Sequence, residues 1–108
     1  MLGLFPCALL LILGPAFAQE QKTIVTTFTY KKVGDLEIKL DAHRAADKKI
    51  RPLAVWIHGG ALINRGRQGI GPGRQLLQAG YVVVSIDYRL APETKLPEII
   101  SDVEDAFE

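Results

Sequence analysis

Cysteine is almost absent from this chain. Cys7 is the only one among the 108 residues, and it lies inside the apolar N-terminal run. Beyond residue 18 there is therefore no thiol, no disulfide and no thiolate ligand for a metal. Charge of one sign is not in excess either. Thirteen Lys and Arg against twelve Asp and Glu leave a net charge of +1. Nothing global thus selects nucleic acid or an anionic membrane as a partner. A long hydrophobic span is also missing. The run LGLFPCALLLILGPAFA is interrupted by Gly14-Pro15 and falls short of the ~20 residues that cross a bilayer. Internal repeats and low-complexity tracts do not occur.

The first 20 residues lack charge until Glu20, and Ala16-Phe17-Ala18 has the small-x-small form of a cleavage site. Residues 1–18 are expected to be a secretory signal peptide, not a stable membrane anchor. No Lys or Arg precedes the apolar run, so only the N-terminal amine supplies positive charge. The mature chain, residues 19–108, is expected to be secreted or periplasmic. It is long enough for one small domain at most.

After the signal, residues 23–33 (TIVTTFTYKKV) are rich in β-branched and aromatic side chains. Gly34-Asp35 is a turn signal. Leu36, Ile38 and Leu40 then alternate with Glu37, Lys39 and Asp41, the period of a strand buried on one side. The pattern predicts an antiparallel hairpin. Residues 42–51 (AHRAADKKIR) read as a polar connection, with Lys48, Lys49 and Arg51 on a solvated rim and His43 at the surface.

Polar alternation is missing from residues 53–57 (LAVWI) and 81–86 (YVVVSI). Strands apolar on both faces belong inside a parallel sheet covered on both sides, so Trp56 is placed in the core. Residues 73–79 between them suit a short helix capped by Gly80. Pro97 suits the first turn of a second helix. Ile99, Ile100, Val103 and Phe107 form the apolar side of that helix. Glu98, Asp102, Glu104 and Asp105 are placed mostly on its other side. The fold class is α/β: an antiparallel hairpin followed by a parallel strand–helix–strand unit.

Two strand ends carry motifs. His58-Gly59-Gly60-Ala61 ends the first buried strand, and Asp87-Tyr88-Arg89-Leu90-Ala91-Pro92-Glu93 follows the second. HGGA alone is a common turn. Together, at this spacing, the pair resembles the α/β-hydrolase superfamily, in particular its hormone-sensitive-lipase-like and feruloyl-esterase-like carboxylesterases. The resemblance covers roughly residues 25–108. It implies the N-terminal part of an α/β-hydrolase sheet, a small-molecule ester substrate and no cofactor or metal.

Ester hydrolysis passes through a tetrahedral oxyanion, which preorganised backbone N–H groups stabilise. By resemblance, Gly60 and Ala61 supply such donors, and Gly59 permits the turn. A further donor would follow the nucleophile. His58 orients the loop, since the triad histidine of this family lies much later in the chain. Asp87 is read as a loop-bracing acceptor because the family places its triad acid elsewhere. Arg89 and Glu93 are expected to pair. Residues 63–74 (INRGRQGIGPGR) hold three arginines and no acid. They lack the lysine–serine ending of a P-loop and read as a flexible rim of the site. Many relatives carry an aromatic soon after HGG. Here Leu62, Ile63 and Asn64 follow, which leaves the acyl and alcohol pockets undefined.

Serine is scarce. Only Ser85 and Ser101 occur, the first within a predicted strand and the second within a predicted helix. Neither stands in the G-x-S-x-G turn that exposes a nucleophile. No catalytic triad residue is expected among these 108. The chain reads as the N-terminal portion of a secreted serine carboxylesterase or lipase-like hydrolase, with an incomplete sheet. The alternative is a non-catalytic truncated relative, either a binding module or a degenerate gene product.

Overall fold

The computed structural model describes residues 22–108; the expected signal peptide lies outside the described residues. Strand β1 (Thr23–Val33) and strand β2 (Leu36–Ala45) form the expected antiparallel hairpin. Gly34 turns the chain with φ +59°, a conformation that costs other residues more. Strand β3 (Leu53–Ile57), helix α1 (Gly73–Gln78) and strand β4 (Val82–Ile86) follow, and helix α2 (Leu96–Asp105) comes last. The four strands take the order β1-β2-β4-β3, with β4 antiparallel to β2 and parallel to β3.

Helix α1 ends as its sequence predicts. Gly80 N–H donates to Leu77 and Tyr81 N–H to Leu76, at 3.1 and 3.0 Å. That paired closure with a left-handed glycine satisfies carbonyls the helix leaves open. Pro97 sits in the first turn of α2, where its missing N–H costs nothing.

The core runs along β4. Val83, Ser85 and Ile86 are fully buried, with Ile38, Ile70, Tyr88 and Ile99 close behind. The pleat sends Val83 and Ser85 to one face, where Gly73 of α1 lies against Val83. Ile86, opposite Leu40, points to the other face. Lys31 is paired opposite Ile38, on that second side, and its ammonium bridges to Asp102 of α2. The two helices thus flank the sheet.

Among the described residues β3 pairs only with β4, and Leu53 and Ile57 are 61% and 42% exposed, in line with the incomplete sheet that was expected. Other expectations need correction. Trp56 is half-buried and packs under Gly71, where an added Cβ would sit 2.7 Å from its ring. His43 belongs to β2, opposite Val25 and Val83, so the polar connection begins later than its charge suggests. Burial holds its pKa below the ordinary value, against the pull of Asp41.

Candidate active site

The chain leaves β3 at Ile57 and enters the HGGA loop. Gly60, Ala61 and Leu62 all have positive φ, at 110°, 57° and 65°. Three such residues in succession turn the backbone back on itself, and the N–H groups of Ile63 and Asn64 close it onto the Gly60 carbonyl. Glycine is required at position 60. A Cβ there would lie 2.3 Å from the Asn64 carbonyl oxygen. At Gly59 an added Cβ would meet nothing within 4 Å, so the need there is open space, not turn geometry.

The amides of Gly60 and Ala61 donate to no group among the described residues. Ala61 is exposed and Gly60 half-buried. These are two adjacent free donors on a fixed loop, the arrangement an oxyanion needs.

His58 is buried to 6% exposure and stacks on Tyr88, with ring centroids 4.2 Å apart and planes 3° from parallel. Its Nδ1–H donates to the Gly59 carbonyl at 2.7 Å. A carbonyl only accepts, so the proton sits on Nδ1. Nε2 is buried without a partner among the described residues. The Tyr88 hydroxyl donates to the His58 carbonyl at 2.8 Å, and the Ala91 N–H donates to the Leu62 carbonyl at 2.7 Å. The YRLAPE segment therefore grips the HGGA loop at both ends. The Ala91–Pro92 peptide between the grips and α2 is cis.

Arg89 does not pair with Glu93. Its guanidinium donates to both carboxylate oxygens of Asp102, each at 2.8 Å, and its backbone N–H to one of them at 2.9 Å. Asp102 is fully buried, not on the polar side of α2 as expected. Burial alone would raise its pKa; the bonds from Arg89 and Lys31 outweigh this and bring it down to about 2.

Asp87 braces as expected. Its carboxylate accepts from the Arg67 backbone N–H and guanidinium, each at 2.6 Å, and its carbonyl accepts from the Tyr30 hydroxyl. Burial, with the charges of Asp102, Asp87 and Asp105, pushes the Tyr30 pKa up. The expected flexible rim is pinned instead. Arg67 also reaches Asp41 at 3.0 Å, Ser85 donates to the Arg67 carbonyl at 2.8 Å, and Ile70 is 2% exposed. An arginine spent on two carboxylates is not a phosphate ligand.

Ser85 is sealed in β4 and Ser101 accepts from Lys31 at 3.2 Å. Ser85 donates to the Arg67 carbonyl, and neither serine stands on a strand-to-helix turn that would expose it as a nucleophile. No group of His, Cys, Asp and Glu among the described residues could hold a metal ion. Beside the loop lies an apolar cleft of about 370 Å³, lined by Ile57, Gly59, Leu62, Leu96, Ile100 and Val103 among others.

Comparison with known proteins agrees with this geometry. The BD-FAE family matches residues 36–108. The chain is 38% identical over 88 residues to the non-reducing polyketide synthase Preu6 of Preussia isomera, a match covering 77% of this chain and 4% of that protein. It is 47% identical over 63 residues to the non-reducing polyketide synthase mapC' of Penicillium brevicompactum, covering 56% and 3%. Among solved structures, the thermophilic esterase Est2 of the planctomycete Thermogutta terrifontis is similar, with a TM-score of 0.67, 25% identity, and coverage of 76% of this chain and 31% of that one. Esterase B of Lactobacillus Rhamnosis shares the fold, with a TM-score of 0.61, 22% identity, and coverage of 79% and 28%. The chain thus spans about a third of these esterases or less and a few per cent of the synthases. The four-stranded sheet and its helices match the N-terminal part of the esterases' α/β-hydrolase fold, and the chain belongs to the BD-FAE family of esterase-like hydrolases.

Proposed function

We propose that these residues are the N-terminal portion of a serine carboxylic-ester hydrolase, exported from the cell, in which Gly60 and Ala61 bind the oxyanion. The observation that supports this most is the pair of unpartnered amides on a left-handed turn, clamped at both ends by Tyr88 and Ala91. In this reading a serine outside these residues attacks the ester carbonyl. The carbonyl oxygen gains charge and takes hydrogen bonds of about 2.7–3.1 Å from the two N–H groups. The donors are already aimed, so no reorganisation accompanies the step. The bare Gly59 leaves room for the substrate.

The test is Gly60→Ala in a form of the protein that carries the nucleophile. The added Cβ collides with the Asn64 carbonyl, and the loop must shift its amides. Turnover of p-nitrophenyl acetate should fall about 10²-fold while the protein stays folded. Unchanged kcat in a folded variant would mean that the loop is only a turn.

The identity to polyketide synthases favours a second reading. The same segment would then act inside a large multidomain protein on a polyketide-derived acyl ester. Immunoblotting of secreted and cellular fractions separates the two. An esterase-sized exported product supports the first reading, and a very large intracellular polypeptide supports the second.

A further inference from the structure

We propose that Asp102 is a positioning residue for the oxyanion loop, acting through Arg89 and Tyr88 on His58. The proposal rests on the reading of that loop given above. A fully buried carboxylate costs several kcal/mol unless it is paired and hydrogen-bonded, and Asp102 is both. Lys31 reaches it from β1 at 2.9 Å and continues to Asp105 at 2.7 Å. Tying α2 to the sheet needs no more than that ammonium. Arg89 adds something different: it offers its backbone N–H as well as its guanidinium fork. The carboxylate therefore fixes the course of the main chain at residue 89, not only its charge.

The residue before it is Tyr88, whose ring lies flat on His58 and whose hydroxyl holds the His58 carbonyl. Two residues after Arg89, the Ala91 N–H holds the Leu62 carbonyl. Gly60 and Ala61 lie between those two grips. The route from α2 to the free amides is thus continuous: Asp102, the Arg89 main chain, Tyr88 on one side and Ala91 on the other, then the loop. A displacement of Arg89 moves both grips together.

The experiment uses NMR on the whole chain and needs no turnover. The His58 ring protons sense the stacked Tyr88 ring, and the Gly60 and Ala61 amide signals report the loop. Asp102→Asn keeps the shape and removes the charge. It should move the His58 ring protons toward free-imidazole positions and shift both amide signals. Lys31→Met should lower the melting temperature and leave those signals in place. If Asp102→Asn fails to fold, Arg89→Lys takes its place, keeping a cation beside Asp102 but losing the fork. His58, Gly60 and Ala61 signals unchanged in the folded variant would overturn the proposal. In a form with a nucleophile, the same variant should lower kcat about tenfold with KM nearly constant. If the signals move while kcat stays constant, the loop is not the oxyanion site and the catalytic role falls with it; Gly60→Ala would then be silent too.

Discussion

Residues 58–62 and residues 63–72 leave the same strand, yet their polar groups are treated in opposite ways. The second stretch is filled with side-chain bonds: Arg67 to Asp41 and Asp87, Ser85 to the Arg67 carbonyl, and Ile70 sealed beneath. The first stretch is held through its carbonyls, by Tyr88 and Ala91 at its ends and by the His58 ring and the Ile63 and Asn64 N–H groups between them. Between those ends two N–H groups are left free. Fixing a loop by its own donors would consume them. Fixing it from outside, through the His58 and Leu62 carbonyls, holds the shape and keeps the donors for a ligand. On the reading proposed above, the contrast separates a loop that forms a wall from a loop that binds the oxyanion.

The largest effect expected concerns the chain itself. Residues 19–108 should not hydrolyse p-nitrophenyl butyrate above background, with circular dichroism and size exclusion showing whether the product is compact. Polarising a carbonyl does not make an acyl-enzyme, which needs an activated nucleophile. Burst kinetics from this chain would break the account and direct attention to Ser85 or Ser101.

Arg67→Met sharpens the comparison next. It removes an ion pair to each of two partly buried carboxylates, and should cost about 1–3 kcal/mol. Trypsin should then cut faster after Arg65, while the His58 ring signals stay unchanged. Movement of those signals would show that the two stretches are not independent.

The hairpin, its Gly34 turn, α1 and the Gly80 cap were legible in the sequence because each is written in neighbouring residues. Both strand-end motifs were legible for the same reason. What was missed depends on distant partners. Arg89 was matched to Glu93, four residues away, when its partner is thirteen residues on. The signal was available: Asp102 stands three residues after Ile99 and one before Val103, on the side of α2 that faces inward. A carboxylate at such a position asks for a cation, and Arg89 and Lys31 supply it. Gly59 and Gly60 look equivalent as letters; only the φ values and the Asn64 carbonyl tell them apart.

The smallest effect expected is at His43. Its Nε2 is buried without a partner among the described residues, and burial depresses its folded pKa below 6.5. The unfolded chain therefore takes up the proton more readily. Stability from this residue is complete above its unfolded pKa and is lost as pH falls through the folded value. His43→Leu should be near neutral at about pH 8 and more stable than the parent at about pH 5. Urea melts at the two pH values check this. A difference that is the same at both would mean that the ring titrates normally.

The central claim is that the Gly60 and Ala61 amides receive the oxyanion. Est2 of Thermogutta terrifontis has been captured phosphorylated by paraoxon, and the same reagent suits a form of this protein that carries its nucleophile serine. The crystal structure of that adduct is the most direct measurement. The phosphoryl oxygen should lie about 2.7–3.1 Å from both nitrogens, with the Tyr88–His58 stack unchanged. A phosphoryl oxygen turned away from the loop, with both amides still unpartnered, would contradict the account.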